Sequence, residues 1–269
     1  MADRVVLAIA AHPDDIELSM AGTLLRLRDA GWELHYMNIG NGSCGSAVED
    51  PDTIVKKRTA EAKEAARLLA ATWHPPVCYD LEIAYANDQI RTVCSLIRRV
   101  KPRIVLAQSP QDYMEDHMIA CRIAVTAAFC RCIRNYRVEP DAPPVGDDVT
   151  IYHAMPHGLR GPLRERIIAG QYIDTTPCLA EKREILACHR SQREWLDATQ
   201  GIGNYLLTME ELSREVGRQS AVFPHAEGWR RHSHLGFSAT DGDPLLDALG
   251  QACRVNDEYE HRLDRGSQE

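Results

Sequence analysis

The chain has 269 residues and a formal charge of −8, from 31 basic and 39 acidic residues. This length suits one large α/β domain. The acidic balance argues against nucleic acid or an anionic membrane as an obligatory partner, because neither attracts a negative surface, and favours a small-molecule substrate. We find neither a signal-peptide pattern nor an apolar stretch long enough for membrane insertion.

The nine cysteines are an odd number without a Cys-x-x-Cys pair, and several fall within apolar helical or strand patterns. This usage is typical of reduced core residues, and we expect a cytoplasmic protein.

Strand-like and helix-like segments alternate through the first half of the chain. The apolar run at residues 5–10 predicts a strand covered on both faces. Further strands are predicted at 33–39, 77–81, 103–108 and 149–152, and helices at 16–30, 52–71, 88–100 and 117–135. The alternation predicts an α/β fold with a Rossmann-like, doubly wound, mostly parallel sheet and helices on both faces.

The later part of the chain gives mainly structural signals. Helical patterns cover residues 177–194, 206–219 and 245–263, and glycine and proline punctuate residues 224–243. We therefore expect an α/β domain at residues 1–195, and a C-terminal helical extension at 196–269 packed on the same domain.

Polar clusters follow two of the predicted strands. His12, Asp14 and Asp15 come after the first strand, and Asp112 and His117 come after the strand at 103–108. In a doubly wound sheet the first strand and the strand that begins the second half lie side by side, so we expect the clusters to be neighbours. His12, Asp15 and His117 then make a set of two imidazoles and one carboxylate that leaves coordination positions open for water and substrate, as in a catalytic metal site.

These motifs together resemble the LmbE-like or PIG-L-like metal-dependent deacetylases. The likeness covers most of residues 4–195 and is less clear beyond. It is carried by Ala11-His12-Pro13-Asp14-Asp15, Asp112-Tyr113-x-x-Asp116-His117, Asp174-Thr175-Thr176, Lys182 followed by His189-x-Ser191-Gln192, and Ala226-Glu227-Gly228-Trp229.

The resemblance implies roles for individual residues. It makes His12, Asp15 and His117 the ligands of Zn²⁺ or another divalent cation, and Asp14 the general base. The reaction implied is hydrolysis of an N-acetyl amide on a glucosamine-containing glycoside. We assign Arg58, Asp112 and Tyr113 to substrate binding; for Arg58 a surface ion pair with Glu61 is an equal alternative.

Met114 departs from the family pattern. Many members carry a histidine three residues before the metal-binding one, and a thioether cannot donate a proton in its place. We favour His157 as the catalytic replacement, because it follows the predicted fifth strand and can reach the same rim. The other candidates are His153, His225, His232, His234 and Tyr113.

The resulting hypothesis is a zinc-dependent N-deacetylase acting on a small amino-sugar derivative. An amidase that cleaves a thiol-sugar conjugate would use the same site, and Met114 also motivates a non-catalytic zinc- or metabolite-binding protein. A nucleotide-binding Rossmann protein fits poorly, since the Gly-x-Gly-x-x-Gly turn is missing after the first strand. A homo-oligomer is compatible with the sequence.

Three charged or polar features have plainer interpretations. The charged cluster at residues 160–166 and the run Arg230-Arg231-His232 are expected to be solvated loop, and binding of an anionic leaving group is the alternative. His189 is expected to be a buried or hydrogen-bonded part of the scaffold.

Overall fold

The computed structural model describes residues 4–200 and 205–265. Within these ranges the chain forms one open, eight-stranded mixed sheet flanked by helices. The strands are β1 (Val5–Ala10), β2 (Glu33–Asn38), β3 (Ala71–His74), β4 (Ile104–Ala107), β5 (Thr150–Ala154), β6 (Gln171–Asp174), β7 (Ala226–Arg231) and β8 (Cys253–Val255). Their order across the sheet is β3-β2-β1-β4-β5-β7-β6-β8.

The helices cover both faces of the sheet. They are α1 (Asp15–Ser19), α2 (Ala21–Asp29), α3 (Pro51–Leu68), α4 (Asn87–Val100), α5 (Glu115–Cys130), α6 (Leu179–Leu186), α7 (Arg190–Gln200), α8 (Tyr205–Ser220), α9 (Pro244–Leu249) and α10 (Asp257–Arg265). Alternate residues of β1 enter opposite cores: Val6 and Ala8 pack with α2 and α3, whereas Leu7 and Ile9 pack with α4 and α5. The prediction of a strand buried on both faces is confirmed.

The position of β1 decides where the site lies. β1 pairs in parallel with β2 on one side and with β4 on the other, so the strand order reverses at β1 and β4. Connections from these two strands leave toward opposite faces, which opens a crevice at their carboxyl ends. The predicted α/β fold class is confirmed. The prediction that the polar loops after β1 and β4 lie next to each other is also confirmed.

Some element boundaries differ from the sequence prediction. The strand expected at residues 77–81 is wrong: β3 lies at Ala71–His74, and after two prolines the chain makes one isolated parallel bridge between Gly40 and Cys78. The helix expected at 16–30 divides after Ser19, because α2 starts afresh with its first N–H groups capped by Glu227. The pattern at 177–194 divides into α6 and α7.

The C-terminal segment is not purely helical. β7 lies between β5 and β6 and pairs antiparallel with both, and β8 pairs antiparallel with β6. The stretch at 224–243 therefore contains a strand, and residues 245–263 divide among α9, β8 and α10. The helix predicted at 206–219 is confirmed by α8. A domain boundary near residue 195 stays a prediction, and the segments on either side of it share one sheet.

None of the helices in the described ranges combines the length and the apolar character that crossing a bilayer requires.

Candidate metal centre and active site

The structure brings together the three side chains predicted to bind a metal. His12 lies in the turn after β1, Asp15 is the first residue of α1, and His117 lies in the first turn of α5, after β4. All three are buried, and each offers one ligand atom within 4.8 Å of the others. Among the described residues no other group of three His, Cys, Asp or Glu meets this distance. We call these residues the His-Asp-His group, and it can hold a metal ion.

The outer ring nitrogens of both histidines have carboxylate partners. His117 Nδ1 lies 3.0 Å from Asp112 Oδ1, and His12 Nε2 lies 2.9 Å from Asp116 Oδ2. These acceptors assign the ring hydrogens to those nitrogens. His12 Nδ1 and His117 Nε2 are left facing Asp15, each 3.5 Å from one of its oxygens. Histidines that ligate a metal are held in the same way, so the donor set fits a divalent cation.

The electrostatics of the group are strongly negative. Burial opposes a charge on His12, but hydrogen bonds to Asp116 and Asp15 outweigh it and raise its pKa to about 10. Burial likewise opposes the charge of His117, and the Asp15 carboxylate raises the pKa of that ring. The pKa of Asp15 is lowered despite burial, because His117 and His12 favour its ionised form. The potential that attracts protons to these rings also attracts a cation.

Asp14 stands beside the group with its own set of partners. It precedes α1 in the left-handed region, with a φ of 112°, which turns its side chain away from that of Asp15. The Tyr205 hydroxyl donates a hydrogen bond to Asp14 Oδ2 at 2.6 Å, and Arg58 Nη2 lies 3.5 Å from Oδ1. Burial raises the pKa of Asp14 to about 6, and the charge of Arg58 opposes this shift. Sequence reasoning missed Tyr205, which is 191 residues away in the chain.

The glycine-rich loop after β2 packs on Arg58. Arg58 is buried and donates a hydrogen bond from Nη2 to the Pro13 carbonyl at 2.5 Å. A Cβ at Gly42, where φ is +83°, would lie 2.6 Å from Arg58 Cδ, so this turn requires glycine. Glu61 instead bonds Ser191. The alternative of a surface ion pair for Arg58 is therefore wrong.

A cleft of about 1500 Å³, counted out to its open mouth, leads to the His-Asp-His group. We call it the main cleft. Its lining includes Asp14, Arg58, Tyr113, Met114 and His157. The Tyr113 side chain is 62% exposed, and its ring contacts the rings of His117 and His157 at centroid distances of 5.6 and 5.9 Å.

Comparison with known proteins agrees with this geometry. Residues 7–129 match the family model described as PIG-L, GlcNAc-PI de-N-acetylase. This part of the chain is similar to the PIG-L (LmbE-like) family. The resemblance inferred from the motifs is confirmed, and the PIG-L match spans both loops of the His-Asp-His group.

Individual relatives extend the likeness. The diacetylchitobiose deacetylase of Thermococcus kodakarensis is 30% identical over 117 residues, which are 42% of this chain and 44% of the relative, so the match spans less than half of either protein. The N,N'-diacetylchitobiose deacetylase of Pyrococcus horikoshii superposes with a TM-score of 0.70 at 22% identity, over 90% of this chain and 88% of that one.

A third comparison separates fold from reaction. GalB, the 4-carboxy-2-hydroxymuconate hydratase of Pseudomonas putida KT2440, superposes with a TM-score of 0.65 at 21% identity, over 89% of this chain and 99% of that one. The fold of this chain is thus shared by proteins named for different reactions. The activity has to be argued from the site.

The remaining candidate residues are placed as follows. Asp112 is buried, and its carboxylate contacts the His117 ring and accepts from the Met114 N–H, so its contacts are with the protein. Of the histidines proposed to replace the one missing at Met114, the lining of the main cleft includes His157. His153 is instead buried between the Gln108 carbonyl and the His232 ring. Burial lowers the pKa of His157.

Three polar or charged features were interpreted as surface loop or as scaffold. Two of these interpretations agree with the structure, and one differs from it. His189 is buried with one ring nitrogen 2.9 Å from Glu17, as expected for scaffold. The charged side chains at 160–166 lie in an exposed turn. The expectation of solvated loop is wrong for Arg230 and Arg231, which belong to β7. Arg230 also donates hydrogen bonds to Gln111 and Ser109.

Proposed function

We propose that this protein is a metal-dependent hydrolase that removes an N-acyl group, acetyl in the first instance, from a small amino-sugar derivative. His12, Asp15 and His117 would hold Zn²⁺ or another divalent cation. The observation that carries the proposal is the convergence of their ligand atoms within 4.8 Å, with both outer ring nitrogens on carboxylates. The PIG-L match and the deacetylase relatives support the same reaction class.

The bound cation would lower the pKa of a water molecule toward about 7 and polarise the amide carbonyl. Asp14 is close to the His-Asp-His group without belonging to it, as a general base requires. It takes a proton from the attacking water and returns it to the departing nitrogen. The C–N bond breaks, the water oxygen joins the acyl carbon, and a carboxylic acid and an amine leave.

The residues around Asp14 hold its carboxylate in one orientation. The Tyr205 hydroxyl donates to Oδ2, and Oδ1 lies 3.5 Å from Arg58 Nη2. Because Tyr205 belongs to α8, the C-terminal part of the chain helps to shape the active site. We assign Tyr205 as a positioning residue.

Negative charge on the acyl oxygen needs a hydrogen-bond donor, since Met114 cannot supply one. His157 and Tyr113 adjoin His117 at the inner end of the main cleft. Burial lowers the pKa of His157, so its ring is neutral near pH 7 and donates through its N–H. The Tyr113 hydroxyl keeps its proton at neutral pH, as tyrosine ordinarily does. We assign His157 as the principal donor and Tyr113, with Arg58, to substrate hydroxyls.

The decisive experiment measures amine release from a panel of N-acetylglucosaminyl compounds by the metal-loaded protein. Asp14→Asn is expected to lower kcat at least about 100-fold while metal content is unchanged. Asp243→Asn is the matched control, because Asp243 accepts a hydrogen bond of the same 2.6 Å length from Tyr152 but is absent from the described lining of the main cleft. Full activity of Asp14→Asn would remove Asp14 from its role.

A second candidate function is that of a non-catalytic protein that binds a metal and an amino-sugar ligand. It is favoured by Met114, because a thioether cannot donate a proton. Ligand binding without amine release from any compound of the panel would establish it. The cytoplasmic location and a homo-oligomeric state stay predictions from the sequence.

A further inference from the structure

A second cavity reaches the His-Asp-His group from another direction. It is much the smaller of the two: with its open mouth included it spans about 580 Å³, against about 1500 Å³ for the main cleft. In the described part of the chain both cavities are lined by Asp15, Leu18, His117 and His157. We call the second cavity the side pocket. The two cavities therefore meet at the residues where the amide carbonyl would react.

The walls of the side pocket are largely apolar. They include Met155 and Leu159 after β5, Leu212 and Val216 one turn apart on α8, and Ala226 at the start of β7. Four of these five side chains are buried in a separate apolar cluster of the protein, and Leu212 packs against it. Polar side chains also line the pocket, but they have partners within the protein. Lys182 is hydrogen-bonded to Glu227, and Asp112 contacts the His117 ring. Backbone groups are the partners of Ser19, Gln108, Ser109 and Ser213. This wall favours a hydrocarbon group over a hydroxylated sugar.

The position of Asp14 decides which half of the substrate lies in which cavity. Asp14 lines the main cleft and is absent from the described lining of the side pocket. Because Asp14 returns its proton to the departing nitrogen, the amine must lie on the side of the main cleft. The other substituent of the carbonyl carbon, the acyl chain, then points into the side pocket.

We propose that the side pocket binds the acyl chain of the substrate and admits straight chains longer than acetyl. This inference rests on the proposed function and specifies its substrate class. The hydrolysis itself is unchanged, and the products become a longer fatty acid and the free amine. Each methylene that enters an apolar pocket gains binding, so kcat/KM is expected to rise about threefold or more per methylene from N-acetyl to N-butanoyl glucosamine.

The side pocket can be filled from α8. Val216→Phe places an aromatic ring among the apolar walls and is expected to lower kcat/KM for N-butanoyl glucosamine more than tenfold, with N-acetyl glucosamine changed less than threefold. Leu207→Phe is the matched control, because Leu207 lies on the same helix but is 40% exposed. It is expected to change neither substrate.

A second variant keeps the test open if Val216→Phe does not fold. Leu212→Ala widens the same wall and is expected to move the preferred chain length upward by about two carbons. Calorimetric titration with sodium acetate and sodium butanoate measures binding to the side pocket independently of turnover. Butanoate is expected to bind at least threefold more tightly to the metal-loaded protein, and Val216→Phe to abolish the difference.

The outcomes separate the two proposals. If N-acetyl glucosamine is hydrolysed while N-propanoyl and N-butanoyl glucosamine are turned over no faster, the inference about the side pocket is wrong and the proposed function stands. If no amine is released from any N-acyl glucosamine, the proposed function fails and the inference falls with it. The inference is supported if kcat/KM rises with acyl chain length, if Val216→Phe removes this rise, and if Leu212→Ala extends it to longer chains.

Discussion

The His-Asp-His group and the Lys182–Glu227 pair are both buried polar clusters, but they use their polar atoms differently. Both oxygens of Glu227 accept hydrogen bonds, from the Gly22 and Thr23 N–H groups at the start of α2 and from Lys182 Nζ. In the His-Asp-His group, His12 Nδ1 and His117 Nε2 face Asp15 at 3.5 Å, with their outer nitrogens already bound. A closed cluster supports the fold, whereas inward-facing ligand atoms mark a site.

The first prediction concerns the buried Lys182–Glu227 pair. Glu227→Gln leaves the buried Lys182 ammonium without a compensating charge, so the free energy of unfolding is expected to fall by about 3–5 kcal/mol. Denaturant unfolding of the metal-free protein measures the loss. The control is Glu181→Gln, which breaks a partly exposed pair with Arg28 and is expected to cost about 1 kcal/mol or less. Equal losses in the two variants would contradict the structural role of Glu227.

The second prediction concerns Asp116, which contacts a histidine of the His-Asp-His group but is not itself one of the three ligands. Asp116→Asn keeps the shape of the side chain that contacts His12 Nε2 but removes its charge, so metal affinity is expected to fall about 10- to 100-fold. Asp243→Asn is the control, since the Asp243 carboxylate bonds the Tyr152 hydroxyl and the Leu246 N–H and is absent from the described lining of the main cleft. It is expected to change metal affinity less than about threefold. Competition with a chelator measures both constants, and an unchanged affinity in Asp116→Asn would count against the orienting role.

The third prediction concerns Tyr205. Tyr205→Phe removes the hydrogen bond to Asp14 and is expected to lower kcat about tenfold with KM nearly unchanged, because the general base loses its fixed orientation. Tyr152→Phe removes an equally short bond to Asp243 and is expected to affect stability but not kcat. Steady-state kinetics and unfolding measurements together distinguish orientation from simple destabilisation. Parallel losses in both variants would reduce Tyr205 to a packing residue.

The last prediction concerns a third buried polar contact, between His153 and His232. Burial lowers the pKa of His153 to about 3, with the neighbouring His232 acting in the same direction. The unfolded chain binds this proton below about pH 6.5 and the folded chain does not, so stability falls as pH falls from about 6.5 to 3. Relative to His153→Gln, the native protein is expected to lose about 1.4 kcal/mol per pH unit in that range. A pH-independent difference between the two proteins would be inconsistent with a neutral buried ring.

The sequence predicted the parallel half of the fold better than the antiparallel half. β1 and β4 are uninterrupted apolar runs because both of their faces are covered, and such runs are visible without context. β7 reads Ala-Glu-Gly-Trp-Arg-Arg, and its Glu227 is buried through contacts with Lys182 and α2 that no local pattern reveals. β3 is a short strand at the edge of the sheet, and its sequence, Ala-Thr-Trp-His, has no apolar run. The strand was therefore predicted at residues 77–81, after the two prolines.

For the site, the sequence indicated which residues would converge but not all of their partners. The AHPDD turn and the Asp116-His117 pair follow strands that topology places side by side, so their neighbouring was predictable. The contact between Tyr205 and Asp14 depends on how α8 packs against the sheet, which has no signal in either segment. Likewise, the burial of Arg58 depends on the glycine-rich loop that closes over it.

The most direct test of the account is a structure of the zinc-loaded protein with anomalous data at the zinc edge. The account predicts one ion bound about 2.0–2.2 Å from His12 Nδ1, His117 Nε2 and a carboxylate oxygen of Asp15, with at least one position open toward the main cleft. An ion bound elsewhere while these three side chains keep their contacts with one another would contradict it.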